Sequence, residues 1–509
     1  MNHDQARALV RDFPIGDPAK AFELGIRLLR EDFAEILLPS AIAAARKFPD
    51  DPRMQQLVGL AARASGDSRL ALGAFAAAAR LAPHDPLIAH SHARAALEAG
   101  HSSVSLFDKA IQLAPNDASA ILGRTAALTQ EGQAGAAAEY MAGVLVDNPQ
   151  WIDGHRSLAR LAGQCGRDSL RSIEQALQRF PMHRPLHELR VYTLLEARNL
   201  SGAEAAIRSA AAQIGDEAWS QDIAAHVASE SGDHLRAEGL FASVPPPPDI
   251  NAVSFRARHM IRAGRIDDAA GLLEQWMPAD HQNQLWPYIS LVWRLTSDQR
   301  HAWLEGDKEL VRTYDLSASV ADWAALAEHL RSLHFASAAP LDQSVRGGTQ
   351  TDGNLLLRDD ELIRPLRQTI LDTVRTHVAQ FPPARNGHPT LITERKPQRV
   401  AGSWSVRLFG AGYHSDHVHS HGWISSALYI ALPESVGRSA SGKDTAGWLS
   451  LGECRELVPD LKPIELIEPA PGKLVLFPST MWHGTRPFSS GERLTIAFDI
   501  ARPKQSLPE

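Results

Sequence analysis

Two cysteines in 509 residues, Cys165 and Cys454, cannot staple a fold. They stand far apart in the chain, which excludes a disulfide framework and makes a reducing cytoplasm the expected compartment. Positive charge is not in excess either. With 52 Lys and Arg against 59 Asp and Glu, the formal charge of −7 lacks the basic footprint of a nucleic-acid binder. No run of about 20 apolar residues is free of charge, so no membrane span is expected. Met1 to Pro14 carries Asp4, Arg7, Arg11 and Asp12 where a signal peptide would have its apolar core. Aromatic residues make up only 6%, yet apolar residues reach 44%, too many for a disordered chain. The length allows about three domains' worth of folded chain.

What fills the first three hundred residues is alanine, which favours helix and lets helices pack closely. A spacing recurs there: large apolar residue, alanine three later, proline five after that. It is read at Phe75-Ala78-Pro83, Phe107-Ala110-Pro115 and Ile173-Ala176-Pro181. Pro83, Pro115, Pro149 and Pro181 are 32 to 34 residues apart. Such a period implies stacked helix pairs. A small residue lets the two helices of a pair approach, a large one fills the gap, and proline ends the second helix. Gly66 and Gly100 fall where a tight turn precedes the second helix. From about Asp51 to Ala210 this pattern, with Gly59, Ala71, Phe75, Ala78 and Pro83 in its first unit, resembles tetratricopeptide repeats. It weakens towards Ala237 and Phe241. Four prolines, Pro245 to Pro248, interrupt the helices, and Trp276, Trp286, Trp293 and Trp303 are expected to cap the solenoid.

Beyond about Tyr314 the pattern changes. Helices are expected over Val320–His334 and Glu361–Phe381, flanking a segment Gln343–Thr351 read as a turn. Its glycine pair could alternatively cradle an anion. From Gly402, alternation predicts strands at Trp404–Leu408, Ile424–Ile430, Lys473–Phe477 and Arg493–Phe498. Turn signals at Gly410/Gly412, Pro433, Pro471-Gly472 and Ser489-Ser490-Gly491 separate them, as in a sandwich or barrel. The expected fold class is therefore α+β and multidomain. A helical solenoid over 1–310 precedes a β domain with flanking helices over 311–509.

Four histidines crowd Gly412-Tyr-His-Ser-Asp-His-Val-His-Ser-His-Gly-Trp423, and His483 follows a strand 66 residues after His417. On a strand, residues i and i+2 share a face, so His417 and His419 can aim at one centre. Three ligands from two strand ends leave one side of a metal open, as an oxygen-activating iron requires. Arg493, ten residues past His483, offers a fixed fork for a carboxylate, and its same-face neighbours Thr495 and Ala497 are small.

Residues 343–500 are similar to the bacterial tetratricopeptide-linked 2-oxoglutarate and iron(II)-dependent oxygenases. The matching stretches are Gln343–Thr351, Gly402–Leu408, His417–Pro433 and Pro471–Asp499, with Pro-Gly-x-Leu-Val-Leu-Phe-Pro-Ser, then His483, then Arg493. The resemblance implies a double-stranded β-helix (jelly roll), iron(II) on His417, His419 and His483, and 2-oxoglutarate and O2 as cosubstrates. It also implies hydroxylation of a C–H bond. Arg493, with Tyr429 and Thr495, would hold 2-oxoglutarate. The superfamily usually has His-x-Asp or His-x-Glu where this chain has His417-Val-His419. A second pair, His414-Ser-Asp416, has the usual form, but straight-strand alternation would point it to the opposite face from His417.

Two function classes follow. One is a dioxygenase whose repeat arm recruits a peptide or protein. The other is a non-catalytic scaffold with a degenerate β-helix, favoured by the missing carboxylate. A metal-binding cupin fits poorly, since Gly422-Trp423-Ile424-Ser425 stands where cupins place a glutamate. Arg407 is read as a substrate or rim residue and Trp482 as packing. Cys454 has no assigned role.

Overall fold

The computed structural model describes residues 1–338, 341, 343–436 and 445–505. Among them, helices fill the chain from His3 to Glu305, and all nine strands follow from Arg312 on. The helices form antiparallel pairs with recurring end signals. Asp17, Asp51 and Asp85 each accept hydrogen bonds from backbone N–H groups of the next turn. Pro18, Pro52 and Pro86 take the first helical position, where no N–H is needed. Second helices stop just before Pro83, Pro115, Pro149 and Pro181. A Cβ on Gly59 would lie 2.9 Å from the Phe75 ring, so only glycine lets these two helices meet there.

The pairs reach further than Asp51 to Ala210. They begin with Pro18–Arg30 and Ala34–Lys47 and end with Trp286–Leu295 and Arg300–Glu305. Left-handed backbone marks the turn inside each pair, at Asp32, Gly66, Gly100, Gly132, Gly166, Arg198, Gly232, Gly264 and Ser297. In the first and last pairs Asp32 and Ser297 take this position, where a search for glycine misses them.

The strands are β1 (Arg312–Asp315), β2 (Val345–Gln350), β3 (Val400–His417), β4 (Gly422–Ala431), β5 (Leu449–Leu451), β6 (Glu465–Ile467), β7 (Lys473–Pro478), β8 (His483–Thr485) and β9 (Arg493–Ala501). They pair antiparallel in the order β1-β7-β4-β9-β3-β8-β5-β6, with β2 on β3. The first half of β3 pairs β9 and its end pairs β8, so one strand joins the two walls of a jelly roll. On the outer wall, Leu474, Leu476, Leu494, Ile496 and Phe498 pack in one core with Leu326 of the helix Trp323–Ser332 and Ile370 and Val374 of Ile363–Ala379. Each such side chain contributes about 1.5–3 kcal/mol by leaving water. Tyr429, Val475 and Phe477 face inward against Leu449, Leu451 and Ile467.

Two expectations need correction. Gln343–Thr351 is not a turn, because Val345–Gln350 is strand β2, paired to β3 through a bulge at Gly347 (φ 67°). Gly410 and Gly412 do not end a strand. β3 runs through them, with Ala411 in left-handed backbone (φ 67°) absorbing the bend. The tryptophans lie in and beside the last helix pair, and they close the solenoid against the β domain. Trp286, Trp293 and Trp303 pack in one cluster with Cys454, Leu457 and Trp482 of the β domain.

That cluster is one end of a long seam. The turn edge of the solenoid lies along the β domain. Arg399 pairs with Asp32 and Glu35, and the Asp359 N–H donates to Ala99 O at 2.9 Å. The Ser337 N–H donates to Gln164 O at 2.9 Å, and Arg198 pairs with Glu456 at 2.7 Å. Arg294 donates to the carbonyls of Gly452 and Lys462.

Candidate metal centre

His417 ends β3, His419 sits in the turn before β4, and His483 opens β8, where it pairs in register with His417. Their rings approach at centroid distances of 4.2 Å (His417–His483), 5.0 Å (His417–His419) and 5.1 Å (His419–His483). Each offers a nitrogen within 4.8 Å of the others. The Nδ1 atoms face away from the centre. His417 Nδ1 donates to Ser415 O (2.8 Å), His483 Nδ1 to Met481 O (3.0 Å) and His419 Nδ1 to Asp499 Oδ1 (2.8 Å). Carbonyl and carboxylate oxygens only accept, so Nδ1 carries the proton in all three rings. The Nε2 lone pairs of His419 and His483 are left for a metal, and His417 Nε2, 3.2 Å from the Ser344 hydroxyl, becomes free for one when Ser344 turns its proton to His414 Nδ1. Burial above all holds His417 neutral, at about 3, and keeps His483 well below its usual range. Neutral imidazole is the ligating form.

Asp416 does not join them. Its carboxylate takes hydrogen bonds from Arg455 N (2.8 Å), Nε (2.7 Å) and Nη2 (2.5 Å). His414 lies nearer than alternation predicts. A register shift between His414 and His417 brings both rings to Ser344 Oγ, at 3.0 and 3.2 Å. The straight-strand argument therefore fails at this bulge, and the Arg455 contacts are what remove the His-x-Asp pair from the site.

Beside the histidines, Arg493 starts β9, 2% exposed, with its guanidinium 5.1 Å from the Tyr429 ring centroid. Tyr429 and Thr495 are cross-strand partners, both buried. Arg493 Nε and the Tyr429 hydroxyl are buried without a hydrogen-bond partner, and Arg493 has no carboxylate partner among the described residues. A surface salt bridge is thus excluded. Burial lowers the Arg493 pKa and raises that of Tyr429, and the interaction of the two groups partly opposes both shifts. The orphaned atoms fit a dicarboxylate whose far end sits there, and the three Nε2 atoms fit a divalent cation.

The other candidates fall outside the site. Arg407 is tied to Glu492 and covers the Phe409 ring. Trp482 donates from Nε1 to Pro287 O (2.9 Å) and packs on Tyr288. Cys454 is buried, its thiol pushed up to about 12 by burial. The sequence reading missed Asp499 and Ser425, whose hydroxyl donates to Asp499 at 2.6 Å. Asp499 continues the alternation 493, 495, 497, 499, which was the available signal. The centre opens into a cleft of about 800 Å³ walled on one side by the solenoid residues Leu195, Glu196, Arg198 and Arg258.

Residues 402–499 match the family model described as "Putative 2OG-Fe(II) oxygenase". The match spans β4 to β8 and most of β3 and β9, and includes His417, His419, His483 and Arg493. No curated protein matches the chain. Among solved structures, MamA of Desulfovibrio magneticus is 21% identical over 34% of this chain and 97% of its own, with a TM-score of 0.29. A thermophilic tetratricopeptide protein of Thermus thermophilus is 19% identical over 33% and 95%, TM-score 0.25. A Pseudomonas putida prolyl-4-hydroxylase is 15% identical over 39% and 95%, TM-score 0.25. Among the described residues no helix is long and apolar enough to cross a membrane.

Proposed function

We propose that the protein is a 2-oxoglutarate- and iron(II)-dependent dioxygenase with a repeat domain over 1–310 and a catalytic domain over 311–509. It hydroxylates a C–H bond of a substrate entering between the two. The reading is carried by three imidazoles with Nε2 inward beside Arg493 and Tyr429, buried against each other with Arg493 Nε unpaired. Bound iron(II), with O2 and 2-oxoglutarate, supplies the oxidant for hydroxylation, giving succinate and carbon dioxide as co-products.

The chain's own residues do the positioning. Ser415 O, Met481 O and Asp499 fix the ring orientation of the three ligands. Arg493 and the Tyr429 hydroxyl hold the distal carboxylate of 2-oxoglutarate, with Thr495 on the same wall. A charge-assisted contact of that kind contributes about 1.5–3 kcal/mol. The repeats close the cleft with the left-handed turn between two helices at Arg198, and a solenoid surface suits a peptide or protein segment.

The test is succinate formation from 2-oxoglutarate by anaerobically iron(II)-loaded protein after O2 is admitted. Wild type should turn over, and His483→Ala should neither hold iron nor form succinate. Wild-type protein that binds neither iron nor 2-oxoglutarate would leave the non-catalytic scaffold as the reading.

A further inference from the structure

Most charged groups lining the cleft over the histidines are paired, and Glu196 adds a carboxylate to the solenoid wall. Arg198 is paired with Glu456, Arg258 with Glu230, and Asp416 with Arg455. Asp499 accepts from His419 and Ser425. Among the described lining residues, Arg346 is the one arginine in no salt bridge, with the Glu456 carboxylate acting on it only through space. It is half-buried and donates from Nη1 to the carbonyls of Gln343 (2.7 Å) and Val345 (2.8 Å).

Its position is built by the bulge in β2. Arg346 pairs with Tyr413 of β3, and the register then slips before Gly348 pairs with Leu408. A bulge re-aims the side chain beside it. Only glycine suits position 347, whose Cβ would lie 3.1 Å from the Gly412 Cα in left-handed backbone. The guanidinium is thereby fixed on the strand next to the one that carries His414 and His417. Burial lowers its pKa, and its charge is among the lesser causes that hold both histidines neutral. A partly desolvated guanidinium, tethered through one nitrogen, keeps the rest of its fork for an anion. That anion is distinct from the one facing Arg493, which lies in the buried pocket with Tyr429.

We propose that Arg346 binds an anionic group of the prime substrate, a carboxylate or a phosphate monoester, and so holds the substrate beside the three histidines. The proposal rests on the oxygenase reading for the word substrate. The anion site itself does not depend on that reading.

The test uses the full chain with 2-oxoglutarate at saturation, which occupies Arg493. Three probes are titrated by saturation-transfer NMR: N-acetylglutamate amide, N-acetylphosphoserine amide and neutral N-acetylglutamine amide. At least one anionic probe should bind about tenfold or more tighter than the neutral one, and which of the two binds tells carboxylate from phosphate. Arg346→Ala and Arg346→Gln should both abolish that preference, the second keeping a donor for the backbone carbonyls should Arg346→Ala disturb β2. Arg346→Lys should keep part of it. The 2-oxoglutarate Kd should stay within about twofold in all three variants. Equal binding of the three probes by wild type, or an unchanged preference in Arg346→Gln, overturns the proposal. So does a loss confined to 2-oxoglutarate affinity, which would give Arg346 to the cosubstrate. If wild type binds neither metal nor 2-oxoglutarate but keeps the Arg346-dependent preference, the anion site stands and only the oxygenase reading falls.

Discussion

Removing Asp499 tests whether its carboxylate orients His419. Asp499 Oδ1 accepts from His419 Nδ1 at 2.8 Å and from Ser425 Oγ at 2.6 Å, and Ser425 also reaches Ser479 Oγ at 2.9 Å. In Asp499→Ala the ring loses the acceptor that fixes its tautomer, and Nε2 no longer has to face the other two rings. Loss of such a partner weakens metal binding about 10–100-fold, or about 1.4–2.8 kcal/mol. Asp499→Asn can still present an oxygen to Nδ1, so it should lose less, about tenfold at most. Anaerobic titration with cobalt(II), read by its ligand-field absorption, measures both variants against wild type and His483→Ala. Ser425 and Asp499 are register partners of β4 and β9, so each variant's melting curve is recorded as well. Wild-type cobalt affinity in a folded Asp499→Ala protein would refute the role.

Three further outcomes are expected. Arg493→Ala should weaken 2-oxoglutarate binding by about 100-fold, near 2.7 kcal/mol, with cobalt(II) affinity kept, and Arg493→Lys should fall between; equal 2-oxoglutarate Kd values by calorimetry would remove Arg493 from the pocket. Burial holds His377 and His388 at about 4 against an ordinary 6.5. The unfolded chain therefore binds more protons between those values, so stability is intact above pH 6.5 and falls as pH drops towards 4. At pH 5 each costs about 2 kcal/mol, and His377→Phe should flatten the slope of urea stability against pH. Arg399→Ala cuts the seam at Asp32 and Glu35, both well exposed to solvent, so it should cost only about 1 kcal/mol. Faster proteolysis between the repeats and the β domain is the readout.

The helical repeats were legible because their signals are local. Proline past the second helix and a small residue against a large one follow from backbone geometry within one pair. The aspartate-proline steps at Asp17-Pro18, Asp51-Pro52 and Asp85-Pro86 carry the same period and were overlooked. Strand β2 was not legible: Val345-Arg-Gly-Gly-Thr-Gln350 has two glycines and no clean alternation, and only β3 beside it makes it a strand. Both His417-x-His419 and His414-x-Asp416 could be read as ligand pairs, and no local rule decides between them. What decides is Arg455, 39 residues away, which occupies the Asp416 carboxylate. The repeats' contribution to the cleft was invisible for the same reason. Arg198 meets Glu456 across 258 residues of chain.

The absent carboxylate ligand, which first argued for a degenerate site, changes meaning once Asp499 is placed. The carboxylate sits one contact further out and acts on the metal position through His419. A divalent ion held by the three rings would have Asp499 as the described carboxylate bonded to one of its ligands, with Arg493 and Arg346 on the positive side. On the proposed reading, 2-oxoglutarate would bring two negative charges to the side of the site held by Arg493. Arg346, on the substrate side of the cleft, would then be the cation that neither Asp499 nor the cosubstrate meets. The same three-imidazole arrangement that looks like a lost ligand therefore favours a substrate that brings an anion of its own.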